Sequence, residues 1–176
     1  MSASGSAFAV GSLGGIATAA RFRRDVGRVA REVARVVARR KRGRGRGRGR
    51  VELAVAVVSD REIRRLHRDH MGDDTATDVL SFPMSERRDP VLRGAIAVSR
   101  DTARREAARR GHAAYHELML YVVHGALHLV GHDDHDPRRR ARMRRAEREV
   151  LEAAGLPAVF GADEAQGRRR AKEGAR

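Results

Sequence analysis

Between Arg21 and Arg40 the apolar residues Phe22, Val26, Val29, Val33, Val36 and Val37 recur three or four apart with arginines between them. That spacing predicts an amphipathic helix. The period then changes. VELAVAVVS (51–59) is β-branched and almost wholly apolar, the pattern of a buried strand. Asp60 opens DREIRRLHRDHMG (60–72) as a helix cap, and Gly72 closes it. In DDTATDVLSFPM, VLSF reads as a short strand ended by Pro83, SERRDPVLRG as a turn-rich loop, and AIAVS (95–99) as another strand. Asp101 caps a helix over 101–110. A strongly apolar helix is expected from His112 to Val130, stopped by Gly131, and Pro137 initiates a last, arginine-rich helix over 137–154. Helices and strands interleave, so the expected fold class is α/β (α+β), a small mixed β-sheet packed by helices.

A chain of 176 residues suits one domain with a real core. The expected organisation is a disordered N-terminal extension (1–20) and a single domain over 21–160, followed by a disordered basic tail (161–176). The repeat at 41–50 cannot hold a helix and reads as a flexible Gly-Arg insert. The absence of cysteine excludes disulfides and thiolate metal ligands. No apolar run reaches membrane-spanning length, and the N-terminus lacks the basic start of a signal peptide, so a cytoplasmic protein with no membrane partner is expected.

Charge narrows the partners. The net charge is +15, and the arginines cluster in KRGRGRGRGR (41–50), in PRRRARMRRAEREV (137–150) and in the closing GRRRAKEGAR. The guanidinium fork suits phosphate, so these clusters point to nucleic acid, with Arg138, Arg139 and Arg140 as candidate RNA contacts.

The stretch HGALHLVGHDDHD (124–136) carries the chemistry. His124 and His128 stand four apart, on one face of a helix, where two imidazoles can share a metal. Gly131 turns the chain back, and His132 to Asp136 offer a third ligand. Three such donors with an open position describe a catalytic zinc site. Counted in the manner of metzincin proteases, the set is His124, His128, Gly131 and Asp134, which would make the helix zincin-like. Those proteases carry glutamate directly after the first histidine, where this chain has Gly125. A phosphodiester is therefore the more natural electrophile than a peptide.

HGALHLVG followed by DD and His closely resembles the signature of the YbeY family of bacterial endoribonucleases. TDVLSFP (77–83) matches that family's segment without a mismatch, and GAIAVS (94–99), GH (111–112) and HEL (116–118) add looser support. The likeness runs from about Val51 to Leu151. It implies a zinc-dependent hydrolase with one zinc ion per chain that cleaves single-stranded RNA. It also implies a role in 3′-end maturation of 16S ribosomal RNA and in ribosome quality control at the small subunit, with no DNA partner expected. The resemblance makes His124 and His128 catalytic as well as metal-binding. The family's third histidine falls at Asp134, with His135 one later, so either Asp134 or His135 completes the set. Met71 stands where the family often has arginine, and Ala95 where an acid is common. Ser81 could meet RNA or the metal loop, and Val79, Leu80 and Phe82 are core. Glu117, two turns before His124, could orient a ligand or an arginine, or stand as an exposed charge, and is given no catalytic role. The competing class is an RNA- or ribosome-binding assembly factor with a structural metal.

Overall fold

The central strand shows a period that its composition hides. Arg50–Val58 forms β2, and Val51, Leu53, Val55 and Val57 are buried while Ala54 between them is exposed. A strand sends successive side chains to opposite faces. One face of the sheet therefore carries the core, and small alanines populate the other.

The computed structural model describes residues 4–40, 50–86 and 89–160. Around β2 lie β1 (Ser4–Gly11), α1 (Ala19–Arg40), α2 (Asp60–Met71), β3 (Val79–Pro83), β4 (Val91–Ser99), α3 (Arg100–Arg110), α4 (Ala114–Leu129) and α5 (Pro137–Ala153). The strand order is β1-β2-β4-β3, with β3 antiparallel at one edge and the other pairs parallel. This is the expected α/β class with a small mixed sheet. The Gly-Arg insert, apart from Arg50, and the expected basic tail lie outside the described residues.

Two expectations give way. Residues 1–20 were expected to be disordered, yet Ser4–Gly11 forms β1, paired in parallel with β2 from Ser4↔Arg50 to Gly11↔Val57. Gly5 allows the approach, because a Cβ there would lie 2.3 Å from the Ala30 carbonyl carbon of α1. Glycine, which weakens the apolar pattern of this stretch, serves at Gly5 the close packing of strand against helix. Likewise VLRG, expected as loop, is the first half of β4. Its Gly94 makes room for Leu129 at the end of α4, 2.3 Å from where a Cβ would sit.

The helix caps also move by a residue or two. Ser59, not Asp60, caps α2 through a capping box: Glu62 N–H donates to Ser59 Oγ (3.3 Å), and Ser59 N–H to Glu62 Oε2 (2.7 Å). Ser99, not Asp101, caps α3. Asp60 and Asp101 join the two helices instead, with Asp60 N–H donating to Asp101 Oδ2 at 3.0 Å.

The main core lies under the sheet face shared by α1 and α4. It gathers Phe22, Val26, Val29 and Val33 of α1, the buried residues of β2, and Leu118, Val122, Val123 and Leu127 of α4. The opposite face carries a smaller cluster of Ile63, Leu80 and Ala97. α4 thus crosses the middle of the molecule, buried along most of its length.

Candidate metal centre and its cleft

α4 holds His124 and His128 one turn apart, each half-buried. The helix then ends in a Schellman turn. His132 N–H donates to Leu127 O (3.0 Å), Gly131 N–H donates to His128 O (2.9 Å), and Gly131 has φ 85°. The turn sends residues 132–136 back across the helix end. Asp136 fixes the far end of the loop, because it caps α5 by accepting from Arg139 N–H at 2.8 Å, and Pro137 follows at the first helical position.

The loop brings Asp134 to the two histidines. His124 Nε2 and His128 Nε2 lie 2.9 Å apart, Asp134 Oδ2 is 3.9 Å from the first, and Asp134 Oδ1 is 3.7 Å from the second. Donors about 2.1 Å from a tetrahedral zinc stand about 3.4 Å from one another. The three separations bracket that value, so the donor set fits a divalent ion in both chemistry and spacing. His135 is not in this group: its ring is 84% exposed, its Nδ1 engages Asp133, and it clusters with Asp133 and Asp134 at the outside of the loop. That contact and the Arg139 guanidinium hold the Asp133 carboxyl well below the usual range.

Behind His124 lies a residue that sequence reasoning missed. Glu147 of α5 is buried, and its Oε1 sits 2.6 Å from His124 Nδ1. The signal was present: Glu147 sits on the stripe Met143, Ala146, Val150 and Leu151, the buried face of an otherwise basic helix. Burial disfavours a charged imidazole at His124, but the Glu147 hydrogen bond and the charges of Glu147, Asp134 and Asp78 outweigh it, so its pKa lies above the usual value. At His128, burial and then the charge of His124 pull the pKa down, against Asp134 and a backbone hydrogen bond at His132.

Gly125 does not face the site. A Cβ there would lie 2.7 Å from Ser81 Oγ and 3.0 Å from Ile96 Cγ2, and Ser81 Oγ donates to Gly125 O at 3.1 Å. α4 needs glycine to lie close on β3 and β4, and a glutamate at this position has no room. Ser81 therefore anchors the helix rather than meeting the metal loop.

A cleft of about 490 Å³ opens at His124 and Asp134, with Arg109, Arg110, Arg140 and Arg144 in its walls and Phe160 at one side. Of the three arginines expected to meet RNA, Arg140 lines this cleft. Arg139 pairs with Asp133 and Asp136, and Arg138 is exposed. Met71 is 54% exposed at the end of α2 and is not among the cleft residues.

A model of the family described as Endoribonuclease YbeY matches residues 19–155. Curated relatives bear the same description. One from Anaeromyxobacter sp. (strain Fw109-5) is 46% identical over 107 residues, 60% of this chain and 55% of its own length. One from Deinococcus radiodurans is 51% identical over 85 residues, 47% and 55% of the two chains. The chain thus spans about half the length of these curated relatives. A protein of Thermotoga maritima, solved in solution, shares the fold with TM-score 0.54 at 24% identity, over 83% of this chain and 89% of that one.

Proposed function

Because the chain belongs to the endoribonuclease YbeY family, whose model spans residues 19–155, we propose that it is a metal-dependent endoribonuclease of single-stranded RNA. Its setting is 3′-end maturation of 16S ribosomal RNA and ribosome quality control on the small subunit, in the cytoplasm. One observation carries the reading: His124, His128 and Asp134 converge, and two of them, His124 and Asp134, line a cleft that also carries Arg109, Arg110, Arg140 and Arg144.

His124, His128 and Asp134 would hold one zinc ion, and three protein donors leave a position for water or substrate. When bound, such an ion supplies Lewis acidity, bringing water within reach of ionisation near neutral pH and polarising a phosphoryl oxygen. The chain's own residues prepare the site. His124 Nδ1–H donates to Glu147 Oε1, which leaves Nε2, on the side of Asp134, as the nitrogen with the free lone pair. The Schellman turn and the Asp136 cap fix Asp134 from both ends of its loop. The cleft arginines attract a phosphodiester, and Gly125 supplies no carboxylate base after the first histidine, which disfavours peptide hydrolysis.

The test measures zinc content by elemental analysis and cleavage of a single-stranded RNA oligonucleotide in the wild type and in His124→Ala, Asp134→Ala and His135→Ala. The first two variants are expected to lose both the ion and cleavage, and His135→Ala to keep both. Cleavage retained by His124→Ala ends the nuclease reading. A wild type that holds zinc and binds RNA without cutting it identifies an assembly factor with a structural metal.

A further inference from the structure

Glu117 has no part in the site described so far, yet it is fully buried, and both of its carboxylate oxygens are committed. Oε1 accepts from Arg110 Nη1 at 2.8 Å, and Oε2 lies 2.5 Å from His112 Nε2. Burial, and then the negative charge of Glu117, push the Tyr121 hydroxyl well above its ordinary pKa. A buried ion pair usually encloses both partners. Here the carboxylate is sealed, but the Arg110 side chain is 29% exposed and lines the same cleft as His124 and Asp134. Its Nη2 lies 3.2 Å from Glu106 Oε2 on α3. A guanidinium carries five N–H donors in a rigid plane, so two carboxylate contacts fix its orientation and still leave donors for an anion.

We propose that Arg110 is a phosphate-binding residue of the cleft and that buried Glu117 is its positioning residue, holding the guanidinium in the wall beside the metal donors. The ligand is a phosphodiester of single-stranded RNA. The inference rests on the nuclease reading for its substrate but makes its own claim on binding. Three features distinguish it from a packing role. The carboxylate is buried and comes from the first turn of α4, two turns before His124. The arginine comes from the last turn of α3. The contact fixes the end of a long side chain that would otherwise sample many rotamers in solvent.

The two roles predict opposite signs. If Glu117 acts only as a nearby negative charge, replacing it with glutamine tightens binding of an anion. If it positions Arg110, the same change loosens binding. The experiment is fluorescence anisotropy of a labelled single-stranded RNA oligonucleotide over a range of salt, with a chelator present so that the strand stays intact. It compares the full-length wild type with Arg110→Gln, Arg110→Lys, Glu117→Gln and the double variant. Arg110→Gln is expected to weaken binding about tenfold and to reduce the slope of log K against log salt by about 0.7, the value for one single-strand phosphate contact. Arg110→Lys is expected to restore the slope but not the full affinity, since a point charge replaces an oriented fork. Glu117→Gln is expected to weaken binding in the same direction, with no further loss in the double variant. Binding that is unchanged or tighter in Glu117→Gln, or a salt slope unchanged in Arg110→Gln, overturns the proposal. Should Glu117→Gln not fold, the two Arg110 variants decide. If the zinc-loaded wild type does not cut RNA while these binding changes appear, the nuclease reading falls and this inference stands. If it cuts RNA and Arg110→Gln binds normally, this inference alone falls.

Discussion

Glu147 stands where a carboxylate is expensive. It is 5% exposed on the buried face of α5, and an unpaired charge in such a place costs several kcal/mol. His124 Nδ1, 2.6 Å away, is its partner, and the contact fixes which ring nitrogen carries the proton. Such outer contacts tune metal affinity. Glu147→Gln is therefore expected to weaken zinc binding by about 10- to 100-fold with all three proposed ligands intact, measured by competition with a chromogenic chelator. Unchanged affinity would reduce Glu147 to a packing role. The choice between Asp134 and His135 belongs to the same scale. Both are good ligands one residue apart in a polar loop, so nothing local ranks them. The Schellman turn and the Asp136 cap set the register, which brings Asp134 inward and leaves His135 84% exposed.

At the scale of elements, the acidic residues that looked like caps serve as struts. Asp60 Oδ1 accepts from Ser99 Oγ (2.5 Å) and Thr102 Oγ1 (2.9 Å), and Arg105 pairs with its other oxygen, tying the start of α2 to the start of α3. Burial raises the Asp60 pKa, but hydrogen bonds from Ser99, Arg105 and Thr102 and the Arg105 charge outweigh it, so the pKa lies below the ordinary value. A carboxylate with a depressed folded pKa stabilises the fold above its unfolded pKa of about 3.9 and loses that contribution as the pH falls through the folded value. Asp60→Asn is thus expected to cost about 1 kcal/mol at pH 7, a figure already discounted for solvent screening of a partly exposed group. The gap should narrow below about pH 4. Urea unfolding at pH 7 and pH 3 checks this, and an equal gap at both would show that the loss is not electrostatic. The capping serines were legible as residue types. Their aspartate neighbours share the same preference, and only the cross-helix contacts separate the two roles.

For the whole molecule, β1 decides how the sheet ends. Paired with β2 along its length, it removes an open edge from the strand that carries the core. Deleting residues 1–17 is expected to lower Tm by more than about 5 °C and to cause self-association on size-exclusion chromatography. An unchanged Tm with a monomeric profile would show that β1 adds nothing to the fold. The sequence alone determined what depends on short-range periodicity. The helical period of 3.6 stacked His124 on His128, apolar runs marked α1, α4 and β2, and clustered arginine marked a surface for anions. Tertiary structure decided what depends on distance between remote segments. Glu147, 23 residues beyond His124, reaches it only because α5 packs against α4. Arg110 meets Glu117 only because α3 turns into α4. Gly5, within the expected extension, and Gly94, within the expected loop, are points of contact between elements. A residue's own preferences fix its local conformation, but the partner that offsets its burial is chosen by packing.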